Sequence, residues 1–180
     1  MKIAYLYGSI LVLISGSCHK GKHNPEACNT GFRRELKELT DEKVGLINLV
    51  SDTVSVTEIG NLDVPDIDKK SDRQSVEQQL YTVKAKVLKA THEADGDYHI
   101  LLEENGNYLI CENPNPGCMY AQNSAYLAYY QDVRYFIENN SLVGKMVTIT
   151  GVGFIDFNHH NSKKHSKNFM ELHPVLVINF

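Results

Sequence analysis

The 180-residue chain has no tryptophan, and its 18 lysines and arginines are outnumbered by 22 acidic residues, for a net charge of −4. A negative, Trp-free chain lacks the basic stripe with which proteins hold phosphate backbones, which argues against nucleic acid as a partner. After the first apolar stretch no second one reaches membrane-spanning length. There is no CxxC pair, no glycine-rich phosphate loop and no Ser-His-Asp order. Redox, nucleotide-binding and triad-hydrolase readings therefore find no support. No internal repeat or low-complexity segment is present, so one ordinary domain with its own core is expected.

The N-terminus carries an address. Lys2 precedes an apolar stretch, Ile3 to Ile14, broken only by Gly8 and Ser9, and small residues then lead to Cys18. A basic start, a short apolar core and a small-residue exit form a secretory signal. Ser15-Gly16-Ser17-Cys18 places a cysteine where bacterial lipoproteins carry their lipidated residue. The expectation is a signal peptide over 1–17, lipidation at Cys18, and a basic tether over 18–27 that includes His19, Lys20, Lys22 and His23. Removing 1–17 takes only Lys2 from the charge count, which moves the net charge from −4 to −5. No acidic run follows Cys18, so the expected location is the bacterial cell envelope, lipid-anchored and facing the periplasm.

Residues 28–79 form an extension with mixed signals. Phe32 to Thr40 suits a helical turn or two, Leu46–Val50 and Val54–Val56 suit a pair of strands, and Asp63–Gln79 reads as a linker or surface loop. From Leu80 the pattern is regular. Val83, Ala85 and Val87 alternate with Lys84, Lys86 and Leu88, which predicts a half-buried strand. Asp95-Gly96-Asp97 predicts a turn stabilised by aspartate side chains, followed by a strand containing Tyr98, Ile100 and Leu102. Asn105-Gly106 is a strong hairpin signal and delivers Tyr108–Glu112 as a third strand. Ser124 then opens a helix with Tyr126, Tyr130, Val133 and Ile137 on one face. Val147–Thr150, kinked by Gly151 and Gly153, and Glu171–Phe180 complete the set.

Three antiparallel strands, a helix and two more strands is the order of the oligonucleotide/oligosaccharide-binding (OB) barrel. The fold class expected is all-β with one helix: a five-stranded OB-type barrel over 80–180, β-β-β-α-β-β, preceded by an irregular N-terminal extension. Strand alternation turns Cys111 inward and Glu112 toward water. Cys118 then pairs with Cys28, in competition with a short Cys111–Cys118 loop.

The segments DGDYHILL (95–102), Glu112 to Cys118, Arg134, GVGFIDFNH (151–159) and NFMELHPVLVI (168–178) together resemble a group of secreted bacterial single-OB-domain proteins of uncharacterised function. Cys28, Arg34 and Lys37 to Asp41 extend the resemblance, which covers about residues 28 to 180. It implies the OB fold and a secreted habit, and supplies no activity. The loop between the last two strands contains glycine and proline in that group and is rich in Lys and His here.

Asp156, His159, Glu171 and His173 form the sharpest candidate polar or metal cluster. Imidazole plus carboxylate suits zinc or a similar divalent ion. The competing expectation is that Glu171 and His173 satisfy backbone groups where the loop crosses the barrel end. Asp97 and His99 form a secondary polar motif, expected at the opposite barrel end from His173. His160 and His165 add to a titratable loop, and Tyr120, Tyr126, Tyr129, Tyr130 and Tyr135 are expected to pack the helix on the barrel. The function expected is an envelope-anchored OB binding module, with an envelope protein or saccharide as partner. The alternative is a metal-dependent, nuclease-like hydrolase using the 156–173 hairpin.

Overall fold

The computed structural model describes residues 28, 30–156 and 164–180. Cys18, His159 and His160 lie outside the described residues. Helices and strands run α1 (Arg34–Lys37), β1 (Asn48–Thr53), α2 (Val56–Ile59), β2 (Gln79–His92), β3 (Tyr98–Glu104), β4 (Asn107–Asn113), α3 (Met119–Asn123), α4 (Leu127–Asn139), β5 (Met146–Ile155) and β6 (Met170–Asn179). The strands lie in the order β1-β2-β3-β4-β6-β5, and β5 pairs back on β2 to close a five-stranded barrel. The OB-type barrel expected from the strand order is what the chain forms.

β2 is long because it serves two neighbours. Its first half pairs with β5, its second half with β3, and a bulge between Val87 and Lys89 bends it around the barrel. Asn105 (φ 51°) and Gly106 (φ 79°) turn β3 into β4, the two left-handed residues that a tight hairpin of this hand requires. Val83, Ala85, Val87, Ile100, Leu102, Leu109, Cys111 and Ile149 fill the interior, each at most 1% exposed. Gly151 and Gly153 sit where β5 slips register against β6. A Cβ at Gly151 would lie 2.8 Å from the Pro174 carbonyl oxygen, and one at Gly153 would collide with the Val76 carbonyl oxygen and the Tyr81 ring. Absence of a side chain there is thus a packing requirement.

β6 carries a bulge: Gly151 pairs with Val175 while Thr150 pairs with Val177. That bulge sends Val175 inward with Leu172 and Ile178, and Leu176 to a second cluster. The extension is also less irregular than its sequence. It supplies one exposed strand, β1, parallel to β2, and then α2, where Ser55 and Glu58 form a capping box in place of a second strand. α1 lies in the segment expected to hold a helical turn, and the short helices α2 and α3 join it and the expected α4.

A second apolar cluster unites Cys28, Leu39 and Ile47 of the extension with Cys118, Ala121, Tyr130, Val152 and Leu176. Cys28 and Cys118 form a disulfide across it, and Cys111 is a free, buried thiol. Tyr130, fully buried, donates to the Glu38 carbonyl oxygen at 2.9 Å and shares a 3.0 Å hydrogen bond with Ser124. The extension is therefore stapled to the barrel by a bond, a core and a tyrosine. Tyr129 and Tyr135 depart from the packing expected of them and are exposed. No helix among the described residues is long and apolar enough to cross a membrane.

Candidate functional site

The inward residues of β3 and β4 leave His99 and Glu112 on the outer face, where they are direct partners across the antiparallel pair. β6 lies on the far side of β4 and runs parallel to it, with Ile110 opposite Glu171 and Cys111 opposite Leu172. That register carries His173 level with Glu112, and its Nδ1 lies 3.0 Å from Glu112 Oε2. The turn before β3 swings Asp97 into the same place. Asp97, Glu112 and His173 each offer one ligand atom within 4.8 Å of the others.

The expectation that Asp97 and His99 stand at the opposite barrel end from His173 is therefore overturned. β6 enters opposite Ile110, the fourth residue of seven in β4, and not at the first. Starting halfway up, at about 3.3 Å per residue, two further residues bring His173 to the end where β3 begins. The aspartate turn itself forms as expected: Asp95 Oδ1 accepts the Asp97 N–H at 3.1 Å. Glu112 also departs from expectation. Alternation does point it outward, but the extension covers that face, and its side chain keeps only 17% exposure.

Helix α1 provides the cover, and the sequence reading missed its part in the site. Arg33 (φ 49°) and Leu39 (φ 52°) hold left-handed backbone on either side of it, so the turn is set by its surroundings. Arg33 is anchored by a two-pronged pair with Glu77 at 2.7 and 2.6 Å. Arg34 reaches the site: Nη1 donates to Asp97 Oδ2 at 2.9 Å and Nη2 to Oδ1 at 3.3 Å. The Asn115 N–H adds a 2.7 Å bond to Asp97 Oδ1. Arg34 Nη2 also lies 2.6 Å from Glu38 Oε1, one turn along. Lys37 Nζ lies 3.7 Å from Asp156 Oδ1 and 4.9 Å from the centre of the Phe154 ring. The Arg34–Glu38 spacing of four is the one sequence signal that could have found this pairing.

Charge states follow from burial and neighbours. Burial opposes ionisation of Glu112, but the His173 ring and the Lys37 ammonium outweigh it and hold the carboxyl well below its ordinary range. Burial, above all, lowers His173, so a neutral ring faces an ionised Glu112. Lys37 is raised: burial works against its charge, and Glu112, Glu171 and Asp156 overcome it. Glu171 is pushed well up by burial and then by the Asp156 and Glu112 charges, and it shares a hydrogen bond with Asp156. Glu38 has no exposed surface and is pushed up to about 8, by burial first and then by Asp97 and Asp95, with Arg34 opposing.

The four residues of the expected cluster thus divide. Asp156 and Glu171 pair with each other beside Lys37, His173 joins Asp97 and Glu112, and His159 lies outside the described residues. Among the described residues, neither ring nitrogen of His173 and not the Nδ1 of His99 has a hydrogen-bond partner, although all three atoms are buried. His165 belongs elsewhere, stacked on Phe169 with ring centres 4.6 Å apart.

No family model and no curated protein matches the chain. Among solved structures, a putative aspartyl-tRNA synthetase from Leishmania major Friedlin superposes with a TM-score of 0.48 and 10% identity. The match covers 73% of this chain and 21% of that one, so the chain spans about a fifth of the protein it overlays.

Proposed function

We propose that the chain is a lipid-anchored module of the bacterial envelope, of the secreted single-OB group it resembles, that binds a saccharide on the outer face of β3, β4 and β6. One observation carries this reading: the concentration of buried charge on that face. OB barrels take their ligands on the second and third strands and the adjoining loops. The matching strands here are β3 and β4, and they hold His99 and Glu112. Burying charged groups is expensive even when they are paired, so a constellation of this size is poorly accounted for by stability alone.

The charge balance supports the ligand class. Among the described residues, Asp95, Asp97, Glu112, Asp156, Glu171 and Glu38 outnumber the Arg34 and Lys37 that pair with them, which disfavours a polyphosphate. Carboxylates and imidazoles accept from sugar hydroxyls, and Tyr108 on the same face offers a ring beneath Lys164. The signal-like start and Cys18 support an anchor facing the periplasm. A metal-dependent hydrolase is the second reading, favoured by the unpartnered nitrogens of His173.

Two experiments test the proposal. Cys18→Ser should release the protein from the membrane fraction, and unchanged membrane association would remove the anchor. Amide shifts of the full chain titrated with peptidoglycan-derived oligosaccharides should move around His99, Tyr108 and Glu112, and Glu112→Gln should weaken the response. Shifts confined to other surfaces, or none at millimolar sugar, would overturn the saccharide. Binding of an envelope protein to the same face would replace it.

A further inference from the structure

Asp97, Glu112 and His173 come from three separate elements: the turn before β3, β4 and β6. Asp97 is 1% exposed and His173 not at all. His173 turns Nδ1 toward Glu112, 3.0 Å away, yet neither ring nitrogen has a partner of hydrogen-bonding geometry. A buried polar group left so loses its water hydrogen bonds and gains none in return. A cation between the two carboxylates would take the Nδ1 lone pair in the tautomer that carries its proton on Nε2, in place of the Nδ1–H that otherwise faces Glu112. His99 repeats the signal from the neighbouring strand: its Nδ1 is buried without a partner, and the residue stands directly across from Glu112. Such cross-strand neighbours have Cβ atoms about 4.5–5.5 Å apart, so His99, which is not among the atoms lying within 4.8 Å of one another, reaches a shared ion by turning toward Glu112.

We infer that Asp97, Glu112 and His173 bind a divalent transition-metal ion of the zinc class, with His99 as a fourth donor. Two imidazoles and two carboxylates are a borderline set that suits such an ion better than magnesium or calcium, which prefer all-oxygen shells. A supporting shell exists: Asp97 is fixed by the Asn115 N–H and by Arg34, as ligating carboxylates are. Arg34 does not close the site, because Asp97 Oδ2 accepts only one of these bonds and keeps a further lone pair. Lys37 lies against Asp156, and Asp156 hydrogen-bonds Glu171, so both acids stand outside the trio. Ligand atoms around zinc sit roughly 3.4 Å apart at its usual bond lengths, so the widest pair of the trio, within 4.8 Å, must close by up to about 1.4 Å. Side-chain rotation supplies that, and the partly exposed edge of Glu112 provides the way in.

The inference goes beyond the saccharide reading and stands without it. The test uses the full chain purified in detergent, stripped with chelator, dialysed and titrated calorimetrically with zinc chloride and with magnesium chloride. One zinc per chain is expected, bound at least about a hundredfold more tightly than magnesium. Asp97→Asn and Glu112→Gln should each weaken zinc about tenfold or more with unchanged circular dichroism. Should either variant fail to fold, the unmodified chain still decides: zinc must raise its melting temperature and chelator must reverse the rise. No saturable zinc binding, or binding untouched by those variants, overturns the assignment. So does binding that vanishes when His159 and His160 are replaced by Gln.

Discussion

Replacing Glu38 with Gln should stabilise the protein, and more so as the pH rises. Glu38 is completely buried, and one guanidinium, that of Arg34, is shared among Glu38, Asp97 and Asp95. Asp97 takes two Arg34 bonds and a backbone N–H, so the guanidinium is engaged chiefly there. Glu38 keeps its proton, pushed up to about 8 from an ordinary 4.5 by burial and by the aspartates. Between those values the unfolded chain has released a proton that the folded chain retains. The native state binds more protons, so its stability falls with rising pH through this window. Each unit is worth about 1.4 kcal/mol, which sets a ceiling on the order of 5 kcal/mol, and relaxation around Arg34 should leave about 2 kcal/mol. Gln keeps the shape and the oxygen that faces Arg34 but does not titrate. Urea unfolding at pH 5, 6.5 and 8 should give wild type and variant within about 1 kcal/mol at pH 5, and the variant about 2 kcal/mol ahead at pH 8. A variant weaker than wild type at pH 8 would refute the reasoning, since an ionised Glu38–Arg34 pair would then be net stabilising.

Three further outcomes are expected. Tyr130→Phe takes the hydroxyl donor from the Glu38 carbonyl oxygen, leaves Ser124 only its bond from the Tyr126 N–H, and should lower stability by about 1–3 kcal/mol in the same urea assay. Gly153→Ala drives a methyl into the Val76 carbonyl and the Tyr81 ring, so a loss of about 1–3 kcal/mol is expected, read as a lower melting temperature. Cys28→Ser with Cys118→Ser opens a bridge spanning 90 residues and should remove about 2–5 kcal/mol, while the Cys111 thiol should react with a thiol reagent only after unfolding.

The barrel was legible because its signals are local. Alternation from Val83 to Val87, Asn105-Gly106 and the helical spacing of Tyr130, Val133 and Ile137 each need only a short window of sequence. The site was half legible for a physical reason. Alternation tells which way Glu112 points, and it is silent on what lies over that face. The cover comes from Arg34 and Lys37, about 75 residues earlier, on a turn held by left-handed Arg33 and Leu39 that no pattern announces. The separation expected between His99 and His173 rested on strand direction alone, and the offset at Ile110 decided otherwise. The break in β6 alternation was hidden likewise, since it depends on how Val175 meets Gly151.

The stapling of the extension has an electrical consequence. Arg34, Lys37 and Glu38 belong to α1, so they are present on the outer face only while α1 is seated. With α1 lifted, what stays is Asp95, Asp97, Glu112, Asp156 and Glu171 with two histidines, a surface that would draw cations in place of sharing two of its own. Cys28–Cys118 and Tyr130 therefore act on polarity as much as on stability. The potential that this face offers to an approaching molecule is set by a disulfide and a tyrosine that no ligand on that face would need to touch.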